Sequence, residues 1–443
     1  MWESALGRLQ RFRGKFDYWR KLPSAIRTLL LTAALASAIV LAVFTTFFAL
    51  RNIGFFANVI DSGMDQRLAL NAGVDIGAAQ RPTLLDFDDY TLAGMGDPIS
   101  VPPQTLASVL GRLQFARPRL VFLDLDISAI RSAQDIATVQ AGLLGLARAG
   151  IPVLLARDVL PGPERAGPGR FRETSFDDLV AHEPNLMWVG TKLLTGSDGV
   201  VRNLAIVESA SLGSRLLTVP SATLATLLVT QFGSLPLARQ ALAAAVAGNQ
   251  PCGGGGQPGR LTICLQHGQL NIDLEENNRI IYRMPWLTTQ EVQSIPALPL
   301  VRSVRAFDLE PLTGHIVIIG STAGFRDYAQ TPLGRMPGPW IHANAIYAWE
   351  TSGPDPGVGY LSGVVVVVPL TVFITLLMVS IILRAPKRLR ATVRASSPFV
   401  VTALFWIFFQ LFGAPSASIG LLAVTYVITA LIALVEKRME PNS

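Results

Sequence analysis

Four long apolar runs limit what this chain can fold into: residues 28–50, 360–383, 395–413 and 416–435 of 443. The first carries no charge over its whole length. A run of about 19–24 apolar residues is long enough to cross a ~30 Å hydrocarbon core as a helix. Each is therefore read as a transmembrane helix. The last two flank Gly413-Ala414-Pro415 and read as a helical hairpin. Composition agrees. Half the residues are hydrophobic and 15% are charged, against about a quarter charged in ordinary soluble domains.

Charge gives an independent orientation. Segment 1–27 holds Arg8, Arg11, Arg13, Lys15, Arg20, Lys21 and Arg27 against Glu3 and Asp17. Loop 384–394 holds Arg384, Lys387, Arg388, Arg390 and Arg394 with no acid, and tail 436–443 holds Lys437 and Arg438. Cytoplasmic segments are rich in Lys and Arg. Four crossings from a cytoplasmic N-terminus put all three segments on that side, next to anionic lipid. Block 51–359 then faces outward, in the periplasm or outside, from a bacterial inner (plasma) membrane. The first run reads as a retained anchor. A signal peptide has a 7–15-residue apolar core and a cleavage site after it, whereas Ala36-Ser37-Ala38 lies inside this run.

The three basic segments hold 14 Lys and Arg against four Asp and Glu, and the whole chain is +6, so the outward block is about −4. The high pI belongs to the membrane flanks and does not point to nucleic acid. The only two cysteines, Cys252 and Cys264, both fall in the outward block. In an oxidising compartment a disulfide is the simplest reading. Free thiols are the alternative. A zinc site with His267 lacks a fourth ligand at a recognisable spacing.

Within the block, "RPTLLDFDDY", "RLVFLDLDIS" and "IPVLLARD" read as buried strands. Between them lie "PPQTLASVLGRLQFARP" and "SAQDIATVQAGLLGLARAG", apolar at helical spacing. That alternation predicts βαβ units, hence an α/β domain with a largely parallel or mixed sheet. Further on, "VPSATLATLLVTQFG", "PLARQALAAAVAGN" and "GPWIHANAIYAWETSG" read as helices, and "GHIVIIGSTAGFRD" as a buried strand entering a turn. "GQLNIDL" and "NRIIYRMPW" are expected to pair as a hairpin across Glu275-Glu276-Asn277. The run 253–256 reads as a flexible glycine loop and "PDPGVG" as a linker.

Three strands end in polar groups: Asp86, Asp88 and Asp89; Asp124 and Asp126; Ser321, Thr322 and Asp327. Ligands of open α/β sheets bind outside the carboxyl ends of the strands. Residues two apart in a strand share a face, so Asp86 pairs with Asp88, and Asp124 with Asp126. Such carboxylates can bind a cation, act as an acid/base pair, or simply cap helices. Gly320-Ser321-Thr322-Ala323-Gly324 has the form of an anion-cradling turn without the Lys of a Walker loop. His342 lies on a predicted helix and is either structural or a pH sensor.

The order of these pieces resembles the type-two CHASE family, the extracellular sensory domains found with cyclases and histidine kinases. "LLDFDD", "VFLDLDIS" and above all "VIIGSTAGFRDYAQTPLGRMPGPWIHANAI" match its recurring blocks. One preceding anchor and three following spans also fit. Asp86, Asp88, Asp89, Asp124, Asp126, Asp327, Thr331, Pro332, His342 and Asn344 occupy characteristic positions. The resemblance implies signal input by an unknown small molecule or ion. It names no cofactor. Members of the family often continue into a catalytic output domain, whereas this sequence carries only a short tail after its last span. The expectation is a non-catalytic sensor working through a separate regulatory output protein, with homodimerisation as one route for repacking the spans. An envelope scaffold or assembly protein is the alternative, and a carboxylate-based envelope enzyme ranks below it.

Overall fold

The computed structural model describes residues 80–160, 169–248, 259–265, 268–274, 278–286, 294–302, 309–325 and 327–353, together with Asp65. The four apolar runs, the 253–256 glycine run and the "PDPGVG" linker lie outside the described residues. Among the described residues no helix is long and apolar enough to cross a membrane. The chain divides into two compact units, Met1–Arg67 with Val358–Ser443, and Leu68–Gly357. The second unit holds the α/β block.

At the centre of that unit is a six-stranded sheet: β1 (Thr83–Asp86), β2 (Leu120–Leu123), β3 (Val153–Ala156), β4 (Leu186–Val189), β5 (Ser294–Pro296) and β6 (Ile316–Gly320). The spatial order is β5-β1-β6-β2-β3-β4. Every neighbouring pair is parallel. The expected α/β class holds, and in this sheet the "parallel or mixed" alternative resolves to parallel. Among the described residues eight α-helices accompany it: α1 (Asp89–Gly94), α2 (Pro103–Ala116), α3 (Ala133–Arg148), α4 (Asp177–His182), α5 (Ala222–Phe232), α6 (Leu235–Val246), α7 (Ala297–Arg302) and α8 (Gly338–Ser352).

Strand periodicity sorts the core into two layers. Leu84, Leu120, Phe122, Leu154, Ile316 and Ile318 face the side covered by α5, α6 and α8. Their neighbours Leu85, Val121, Leu123, Val153, Leu155, Val317 and Ile319 face α2 and α3. Adjacent strand residues point to opposite faces, so continuous apolar runs are what a sheet buried on both sides requires. The helices start where the sequence predicts. Ser132 Oγ accepts from Asp135 N in α3, and Ser221 Oγ from Leu224 N in α5. Each leaves one fewer amide of the first turn without a partner.

One expectation is corrected. "GQLNIDL" does not pair with "NRIIYRMPW"; Gly268–Asp273 pairs antiparallel with Arg260–Leu265. Only two residues separate those strands, the commonest hairpin loop. Segment 278–286 instead threads between other elements. Its backbone is held by a bridge between Asn203 and Arg279 and by side chains of α8. The short β5 and α7, in "SIPALPLVR", had no sequence signal: three strand residues are too few to show a period. Cys264 is disulfide-bonded; Cys252 lies outside the described residues.

Candidate functional site

The strand-end residues separate into two groups. The first closes on itself. Asp86, at the end of β1, is 3% exposed. It accepts from Thr322 N at 3.0 Å, Thr322 Oγ1 at 2.7 Å and Ser294 Oγ at 3.4 Å. Asp88 caps α1 through Thr91 N, and Asp89 accepts from Gly324 N at 2.9 Å. Ser321 Oγ donates to the Phe87 carbonyl. The 320–324 turn therefore does cradle anions, but they are the protein's own: the carboxylates of Asp86 and Asp89 occupy its amides. Gly320 serves packing, since a Cβ there would lie 2.5 Å from Pro339 Cγ at the start of α8. Burial outweighs these hydrogen bonds and pushes the Asp86 carboxyl up to about 6.

Asn344 and Thr331 are structural as well. Asn344 is fully buried in α8, where its amide braces segment 278–286. Thr331 Oγ1 donates to the Gly334 carbonyl at 2.7 Å and accepts from Leu333 N, tightening the 328–337 hairpin.

The second group opens onto a cavity of about 400 Å³. Asp124, Asp126, Asp327 and His342 line it, together with Asp158 and Thr191. Leu125, Ala156, Leu193 and Gly338 complete the wall. The strand period explains the convergence. Phe122 points toward α8, so Asp124, two residues on, does too. Leu154, Ala156 and Asp158 follow the same rule in β3, which is paired to β2 in register. From the helix side His342 meets Phe122 edge-on at 5.7 Å between ring centroids.

The electrostatics are lopsided, because no lining residue is Lys or Arg. Burial, then the nearby Asp158 charge, push the Asp124 carboxyl up to about 7. Asp158 accepts from Thr191 Oγ1 at 3.0 Å. Asp327 is exposed as a residue, yet its carboxyl lies against the first turn of α8. Desolvation there, with Asp124 and Asp158 adding to it, pushes it up to about 6 against the pull of His342. His342 is 5% exposed. Burial holds its imidazole down to about 4, against Asp327, Asp158 and the Thr191 backbone hydrogen bond. The ring is thus neutral near pH 7 and offers no charge to balance the acids. Asp126 is the best-compensated member. It caps the 127–129 turn through Ser128 N and pairs with Arg172 at 3.3 Å.

Four expected site residues, Asp124, Asp126, Asp327 and His342, therefore come together. Asp86, Asp88, Asp89, Ser321, Thr322 and Asn344 are engaged elsewhere. Asp158 was missed although it ends "IPVLLARD", the same strand-end signal that marks Asp124. Thr191 carries no sequence signal.

Gly338 matters because a Cβ on it would lie 2.1 Å from Asp327 Oδ2. Gly338→Ala is expected to turn that carboxyl away and cost about 1 kcal/mol, the low end for overpacking, since the obstructing atom is a side-chain tip. Thermal melts should show most of this loss relieved in a Gly338→Ala, Asp327→Ala double variant. Equal losses with and without Asp327 would refute the clash.

The family model described as the CHASE2 domain matches residues 36–378. The chain belongs to the CHASE2 family. Neither the search of curated proteins nor that of solved structures returned a match. CHASE2 domains are sensory domains of extracellular type. The cavity's place, outside the carboxyl ends of parallel strands, is where open α/β sheets hold ligands.

Proposed function

We propose that the chain is a non-catalytic membrane sensor. Its CHASE2 block lies outside the bacterial inner membrane and detects a small stimulus. Helices 28–50, 360–383, 395–413 and 416–435 carry the change to a separate output protein in the cytoplasm. The observation that carries the reading is family membership over 36–378 combined with a recessed cavity of perturbed carboxylates. A titratable group perturbed by burial and a charged neighbour inside a cleft is a functional-site candidate. The disulfide supports the outward placement, because such bonds persist in oxidising compartments. A stimulus moves the sensor only if it binds two states of the protein unequally.

Two measurements test this. Ser214 is exposed in the 213–214 turn. A Ser214→Cys variant should react with a membrane-impermeant maleimide in intact spheroplasts as fully as after lysis. Labelling only after lysis would overturn the topology. Second, the intact protein, tagged at its C-terminus and purified from native membranes in mild detergent, should retain a kinase, cyclase or other regulatory protein across controls. Retention of envelope-assembly components alone would favour a scaffold instead.

A further inference from the structure

We infer that the cavity binds a small organic cation, an amine- or guanidine-bearing molecule whose charged end sits among Asp124, Asp158 and Asp327. This deepens the sensor reading, on which its biological meaning rests; the binding itself does not depend on it. Charge sets the sign of the ligand. Four carboxylates line the cavity with no lining Lys or Arg, and the nearby Arg172 is taken up by Asp126.

A cluster of acids can be a solvated surface, and two features here argue against that. The Asp124 carboxyl has no hydrogen-bond donor among the described residues, and burial and Asp158 dominate its environment. His342 is buried to all but 5% and lines the cavity. Its ring meets Phe122 edge-on, and the Thr191 backbone is one of the influences on it. Uncompensated buried charge costs several kcal/mol per ion. A cationic ligand offsets that cost through charge-assisted hydrogen bonds.

Size separates an organic cation from a metal ion. About 400 Å³ lies in the ~300–1,000 Å³ range of small-molecule pockets. Among the described residues no group of three or more His, Cys, Asp or Glu is placed to hold a metal ion. Leu125, Ala156 and Leu193 supply an apolar wall, which suits an alkyl chain behind an ammonium.

The test is calorimetric titration of the full chain in nanodiscs with putrescine and with agmatine, with succinate and magnesium chloride as controls. Saturable binding of at least one amine is expected, weakened tenfold or more in both Asp124→Asn and Asp158→Asn. Succinate should neither bind nor compete. Melting curves of both variants establish that they are folded, and Asp124→Asn should melt no lower than the parent. Absence of amine binding, amine binding unchanged in both variants, or displacement of the amine by equimolar magnesium would overturn the inference. If amines bind but change no output, the sensor reading fails and the site stands. If another stimulus drives output and no amine binds, the site fails and the sensor reading stands.

Discussion

Replacing Asn344 by alanine is expected to destabilise the CHASE2 block by about 3–5 kcal/mol. Asn344 Oδ1 accepts from Arg283 N at 2.9 Å and Met284 N at 2.8 Å, and Nδ2 donates to the carbonyls of Met284 and Trp340 at 3.0 Å each. Residues 283–284 lie in no strand, so no ladder replaces these bonds. Alanine leaves two amides of that segment without acceptors, and the Met284 carbonyl keeps only Trp340 Nε1. A buried polar group stripped of its partner costs about 1–3 kcal/mol. For a block of this size that corresponds to a fall in melting temperature of about 10 °C. Trp286 and Trp340 lie 5.6 Å apart beside the lost bonds, so tryptophan fluorescence follows the event directly. A variant melting within about 2 °C of the parent would show that segment 278–286 is held by its apolar contacts instead.

Asp124→Asn is expected to do the opposite, and only above acid pH. The folded carboxyl titrates near 7, above its ordinary 3.8. Between those values the native state holds a proton that the unfolded state has released. The parent's stability therefore falls as pH rises from about 4 to 7. Asparagine carries no such penalty. The stability difference should be near zero at pH 4, grow through that window and level off above pH 7. Three pKa units are worth about 4 kcal/mol, and Asp124 is partly open to solvent as a residue, which screens roughly half of that. A gain of about 2 kcal/mol, or ~5 °C, is the expectation at pH 8. His342 imposes a slope of opposite sign on the parent. Its folded value near 4, below the ordinary 6.5, means stability gained as pH rises between them. The difference between variant and parent is therefore the quantity to follow, by melts in matched buffers at pH 4, 6 and 8. A variant less stable than the parent at pH 8 would mean that Asp124 has a stabilising partner.

That one substitution should stabilise the fold and weaken amine binding is how a functional site behaves. Proteins keep like charges at close quarters where a ligand completes them, at the expense of the unliganded state. The first group of acids lacks this signature. Asp86 is also raised, but it fills the 320–324 turn and joins the ends of β1 and β6, so its role ends inside the fold.

Sequence alone determined the α/β class, the main sheet's long buried strands and its amphipathic helices. These rest on local rules: a two-residue period buried on both faces and a 3.6-residue period on one. The matching blocks around "IHANAI" also gave the family before any coordinate. It did not determine which strand-end acids act together. "LLDFDD" and "VFLDLDIS" look equivalent as text, and their fates differ because of what packs against each strand end. At β1 the 320–324 turn supplies amides and absorbs the carboxylates. At β2 and β3 a buried helix supplies a neutral His342 and no cation. That difference lies between residues some two hundred positions apart in the chain, and only the tertiary structure brings them together.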